Sequence, residues 1–248
     1  SLSKSSTKLW SPWLVSRCLR PRMTPRAVAQ EYEQDPTGSS GLFFHEPMIA
    51  DLIKHARPPL ITGIVNIDAE KLTVIGFLHN MAGSLKLWVP VDKRSGPPRG
   101  NYVIGCDVAT GVGGDMSSNS VASIVNRDSG TKVGEWVSQT TSPADYAEVA
   151  IALCKWFQSS TGMPAYLIFE NGGPGDSFRA RVLDTTFTNF YWSRIHGSAN
   201  KKRTKKPGFN MAKKSKRVLL DKYHWALTEG LFDNPSELAL RETLHYVY

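Results

Sequence analysis

From position 101 onward the apolar residues fall into short blocks separated by Gly, Ser, Asp and Pro. YVIGCDVA (102–109), SVASIVNR (120–127) and KVGEWVSQ (132–139) predict three strands, the last two joined as a hairpin through Asp128, Ser129 and Gly130. Ser142 and Pro143 then open a helix as N-cap and first-turn proline. Tyr146, Ala150, Leu153, Cys154 and Phe157 share one face of that helix. AYLIFE (165–170) predicts a strand that ends in a carboxylate. Gly172, Gly173, Pro174 and Gly175 lead into a helix reaching about Asp184, and NFYWSR (189–194) reads as a fifth strand. The pattern over 216–229 is helical with Gly230 as its stop, and 236–246 predicts a last helix. Three strands followed by strand–helix alternation predict an α/β fold, a mixed five-stranded sheet flanked by helices.

The blocks before position 100 are less regular. LITGIVNI (60–67), LTVIGFL (72–78) and LKLWVPV (85–91) are broken by Gly, Pro and charge, and predict the small strands of an accessory region over 43–100. KRSGPPRG (93–100) reads as its boundary. Residues 1–42 are rich in Ser, Pro and Arg and read as a linker. A short helix is predicted at 25–34, with Thr24 as N-cap and Pro25 at the first helical position, followed by a turn over 35–41.

Composition narrows the class. Of 248 residues 41% are hydrophobic and 21% charged, enough for a buried core and too apolar for wholesale disorder. The longest apolar runs, such as 60–67, fall far short of the ~20 residues a membrane span needs. No charged-then-apolar leader opens the chain, so no secretory signal is expected. Cys18, Cys106 and Cys154 form no CxxC pair, which argues against a disulfide framework or a cysteine zinc site and fits a reducing compartment. Charge changes the picture most. The net charge is +8, yet residues 194–217 hold ten Lys or Arg and no acid, leaving 20 basic against 22 acidic residues elsewhere. A basic excess confined to one segment points to a polyanion, most simply nucleic acid. Its candidate phosphate-binding residues are Lys201, Lys202, Arg203, Lys205, Lys206, Lys213 and Lys214. The plainer reading is a solvated loop.

Two carboxylates stand out. Asp107 and Glu170 each lie at or near the end of an apolar strand and each precedes a Gly-rich loop. If those strands are parallel neighbours, both acids reach one edge of the sheet, where they repel unless a cation lies between them. Oxygen ligands of this kind select Mg²⁺ or Mn²⁺, and a pair of such ions supports phosphodiester cleavage. The competing reading has Asp107 capping a turn and Glu170 paired with an Arg. Asp115, eight residues after Asp107, either folds back to the same edge or caps the next element. The GVGGD loop matches neither GxGxxG nor GxxxxGK[ST], and an actin-like nucleotide site lacks a second phosphate loop. The six histidines show no HxxxH or HxH spacing and no GxSxG occurs, so zinc and hydrolase-elbow chemistries find no support. Cys106 reads as a small buried residue rather than a nucleophile.

YVIGCDVATGVGGDMSSNSVASIV, with IFENGGPGDSFRARVL some sixty residues later, resembles the nuclease domain of the large terminase subunit of tailed bacteriophages. TPRAVAQEYEQDPTGSSGLFF, upstream, resembles the segment joining that family's packaging ATPase to its nuclease. The resemblance implies an RNase H-like fold over 101–248 and a metal-dependent endonuclease that cuts concatemeric double-stranded phage DNA, using two Mg²⁺ or Mn²⁺ ions. Asp107 corresponds to the first metal-binding aspartate, Glu170 to the second acidic ligand and Asp115 to the auxiliary aspartate. It also implies partners in the portal and the small terminase subunit, no membrane association, and a place in the host cytoplasm, transiently at the procapsid portal. A non-catalytic DNA-binding or docking module is the alternative. The family's third acidic ligand, at a His-Asp-Asp-like helix start, is expected just beyond Tyr248, with Asp221 and Glu237 as substitutes inside the chain. No Walker A loop occurs, so the expectation is a nuclease region without its ATPase motor.

Overall fold

The computed structural model describes residues 42–92, 94–114, 117–193, 203–204 and 206–246. In chain order its elements are α1 (Glu46–Lys54), β1 (Ile61–Asp68), β2 (Thr73–His79), β3 (Leu85–Leu87), β4 (Tyr102–Asp107), β5 (Ser120–Asn126) and β6 (Thr131–Ser138), then α2 (Pro143–Trp156), β7 (Tyr166–Phe169), α3 (Pro174–Leu183), α4 (Lys213–Thr228) and α5 (Glu237–Thr243). They group into two compact units, one spanning Arg57–Ser236 and the other holding α1 and α5. The helix predicted at 25–34 lies outside the described residues.

In the larger unit one sheet runs β2-β1-β3-β6-β5-β4-β7. β4, β5 and β6 form an antiparallel meander, and β7 returns parallel to β4 on its other side. α2 makes the crossover. Three consecutive antiparallel strands, a helix, and a fourth strand set parallel beside the first is the RNase H-like connectivity. The three predicted strands form, and two of them alternate: Tyr102, Ile104 and Cys106 of β4 and Ala122 and Ile124 of β5 are buried, whereas 132–136 of β6 are buried without a break. α2 starts where expected, with the Ser142 hydroxyl accepting from the Asp145 backbone N–H and Pro143 in the first turn. Tyr146, Ala147, Ala150, Ile151, Ala152, Leu153 and Cys154 are its buried residues, and it packs on β2, β4, β7 and α3. Trp136 of β6 stacks on Tyr146, with ring centroids 4.8 Å apart.

The sheet has seven strands where the apolar pattern predicts five. The small strands of the 43–100 region extend the same sheet through β3, whose Leu85–Leu87 pair antiparallel with Gly134–Trp136 of β6. Alternation specifies which side chains are buried but not which strand lies alongside, because ladder hydrogen bonds are made by the backbone. A buried ion pair lies next to this junction. Lys132 and Glu135, both 3% exposed, bond one another, and Lys86 of β3 reaches Glu135 at 3.6 Å. Burial opposes the Glu135 charge, but Lys132 and Lys86 outweigh it and hold its carboxyl below the usual range.

The fifth predicted strand, 189–194, is reduced to isolated bridges on the outer side of β7, Leu167 with Phe190 and Trp192 with Gly208. α4 begins at Lys213, earlier than the predicted 216, and stops as predicted before Gly230 (φ +65). In the smaller unit α1 occupies 46–54, a stretch to which the sequence pattern assigns no element, with a proline in its first turn, Glu46 at its start and Lys54 at its end, matching the helix dipole. Phe43 and Phe44 are buried there, and the Phe43 backbone N–H donates to Tyr246 O at 2.7 Å.

Candidate metal centre

Asp107 ends β4 and Glu170 follows β7 directly. The two strands are parallel with Cys106 opposite Phe169, so Asp107 and Glu170 each sit one residue beyond the last ladder pair. Cys106 and Phe169 point into the core. Since successive side chains alternate faces, the two carboxylates share the opposite face. Neither carboxylate accepts a hydrogen bond or joins a salt bridge from any described residue, so the turn-cap and Arg-pair readings do not hold among them. Burial, and behind it the negative charge of Asp107, raises the Glu170 carboxyl above its ordinary value, while the Lys216 ammonium on the first turn of α4 pulls it down. Two hard oxygen donors set close enough for the charge of Asp107 to raise the Glu170 carboxyl suit a divalent cation. Among the described residues no group of three or more His, Cys, Asp or Glu is placed to hold a metal.

Local backbone chemistry builds this edge. Gly172 (φ +133) and Gly173 (φ +54) turn the chain so that α3 starts immediately after Glu170. Gly175 then comes so close that a Cβ there would lie 2.3 Å from Glu170 O. On the β4 side, Gly111 (φ +73) lies where a Cβ would meet Thr141 O at 2.2 Å. Gln139 Nε2 donates to Gly114 O at 2.9 Å and to Ser117 O at 2.8 Å, tying both residues to the end of β6. Asp115 itself lies outside the described residues.

The basic segment leaves and rejoins the sheet beside Glu170. Gly208 N donates to Tyr191 O, Phe209 N to Phe169 O, and Asn171 N to Phe209 O, at 2.8–2.9 Å. Phe209 bridges Glu170 directly. Ser193 Oγ donates to Gly208 O at 2.7 Å, and Thr204 N to Ser193 O at 2.9 Å. Arg203 sets its guanidinium 5.9 Å from the centre of the Trp192 ring. Lys206, Lys213 and Lys214 are exposed, whereas Lys201, Lys202 and Lys205 lie outside the described residues. Asp221 is half-buried on α4, and Glu237 pairs with Arg241 at 2.7 Å, so neither supplies a third ligand to a described cluster. The Cys106 thiol is pushed up to about 12 by burial, in keeping with a buried, unreactive residue. Lys216, Gln139 and the contact of Arg179 with Asn171 were not singled out from sequence. Lys216 falls within the acid-free basic window and Asn171 within the Glu-Asn-Gly pattern, but Gln139 carries no sequence signal.

No family model and no curated protein matches the chain. Its structure is similar to solved large terminase nucleases. That of thermophilic phage G20c with bound magnesium aligns at TM-score 0.49 and 16% identity over 77% of this chain and 83% of its own. The nuclease domain of Thermus phage P74-26 aligns at 0.46 and 15%, over 74% and 80%. The manganese-soaked, inhibitor-bound terminase nuclease domain of human cytomegalovirus aligns at 0.31 and 11%, over 55% and 65%. No helix among the described residues is long and apolar enough to cross a membrane.

Proposed function

We propose that this chain is the nuclease part of a phage DNA-packaging enzyme, cutting concatemeric double-stranded DNA with divalent metal. The observation that carries the reading is the parallel β4/β7 register, with Asp107 and Glu170 on one face and, among the described residues, no cation in a salt bridge with either. Asp107 and Glu170 hold the metal, and Asp115 joins them. Two Mg²⁺ or Mn²⁺ ions, when bound, supply the Lewis acidity that makes water nucleophilic and stabilises the departing oxygen. The chain's own residues do the rest. The carboxylates fix the reacting edge, the Gly-rich turns let DNA approach the backbone there, and the basic segment rooted at Tyr191–Ser193 and Gly208–Phe209 grips phosphates without reading sequence. Portal and small-subunit partners, and action in the host cytoplasm at the procapsid portal, belong to the same reading.

The test is nicking of supercoiled plasmid in Mn²⁺. The wild-type chain nicks, and Asp107→Ala and Glu170→Ala abolish nicking while salt-sensitive DNA binding persists. Undiminished cleavage by a pure Asp107→Ala protein overturns the assignment. Salt-sensitive binding with no metal-stimulated cleavage by the wild type favours a docking module instead.

A further inference from the structure

Glu170 sits between the end of a strand and a glycine turn. It follows a four-residue strand and precedes two glycines of positive φ. On the outer side, the Asn171 N–H donates to Phe209 O at 2.8 Å. On the helix side, Arg179 of α3 donates through Nη1 to both Asn171 Oδ1 and Asp176 Oδ1. The Arg179 side chain is only 13% exposed, although Asp176 is half-exposed. Burying a guanidinium is costly unless its donors are used, and here they clip the first turn of α3 to the residue after Glu170. Arginine has donors only, so the contact also fixes which end of the Asn171 amide faces the helix. Gly208 walls the other side of Asn171, since a Cβ there would lie 3.1 Å from Asn171 Cβ.

We infer that Arg179 is a positioning residue for the Glu170 carboxylate, acting through Asn171, and that this clip sets the metal affinity of the site. The inference rests on the proposed metal centre. Residues that orient a metal ligand change affinity by roughly 10–100-fold when removed.

The experiment compares the wild type with Arg179→Ala, Asn171→Leu and the double variant. Four quantities are read: Mn²⁺ affinity by calorimetry, the Mn²⁺ concentration for half-maximal nicking, DNA affinity, and amide exchange of 170–173 without metal. Both single variants are expected to weaken Mn²⁺ at least ~10-fold, with DNA affinity unchanged and exchange of 170–173 accelerated. The double variant should be no worse than either single, because both remove one contact. Unchanged Mn²⁺ affinity in Arg179→Ala, or a loss that merely follows the folded fraction, overturns the inference. If the wild type neither binds Mn²⁺ nor nicks DNA, the metal reading fails first. Metal-free exchange still judges the clip by itself, and unaltered exchange at 170–173 in Arg179→Ala refutes it.

Discussion

Replacing Asp107 with asparagine should leave the metal-free protein intact and erase its response to metal. The Asp107 carboxylate is exposed and accepts no hydrogen bond from a described residue, so losing its charge removes no partner. Its charge is one of the two causes that raise the Glu170 carboxyl. In EDTA the Asp107→Asn protein should therefore melt within about 1–2 °C of wild type, the range of a surface change worth ~0.5 kcal/mol. With Mn²⁺ at 100 times its dissociation constant, binding to the folded state stabilises wild type by about 2.7 kcal/mol. For a chain of this size each kcal/mol moves Tm by roughly 2–4 °C, so the wild-type shift is about 5–11 °C. The variant's shift at the same concentration should be close to zero. Melting curves over an Mn²⁺ titration, followed by dye fluorescence or calorimetry, measure both quantities. A variant that keeps the full Mn²⁺ shift shows that the metal is not held at this edge. A variant that loses many degrees in EDTA shows that Asp107 is a structural group.

The raised Glu170 carboxyl sets a pH dependence whose sign is fixed. The folded state holds that proton to higher pH than the unfolded chain, so metal-free stability falls as pH rises from the ordinary glutamate range through the raised value. Metal binding is lost in the opposite direction, as pH falls through that same raised value; Glu170→Gln should flatten the stability profile, and an identical profile in that variant refutes the link. Lys132→Met leaves the Glu135 carboxylate, 3% exposed, with the more distant Lys86 and the Ser236 hydroxyl but without its closest cation. That should cost about 3–5 kcal/mol, or ~6–20 °C in Tm, while Lys132→Met with Glu135→Leu restores most of it; denaturant melts within 1 kcal/mol of wild type for the single variant contradict the buried-pair account.

Much of the α/β core was legible as a string of local signals. The apolar blocks of β4, β5 and β6, the Ser142–Pro143 helix start, the Asp128–Gly130 hairpin turn and the Gly230 stop each depend on neighbours a few residues away, and each is found in the structure. The pairing of Asp107 with Glu170 was legible only as a condition, because two acidic strand ends meet only if their strands are parallel neighbours. Tertiary structure supplied that condition through the β4/β7 register. It also added β1–β3 to the sheet through β3 and β6, turned 189–194 into bridges, and seated the basic segment's roots against Glu170. These outcomes rest on backbone hydrogen bonds, which are the same for every residue type, and on long-range burial of Lys132, Glu135 and Arg179. A residue pattern records which face a side chain takes and where an element stops. It leaves unstated which distant backbone comes alongside, and that choice is what gathered the two acids, the lysine of α4 and the described roots of the basic segment at one edge.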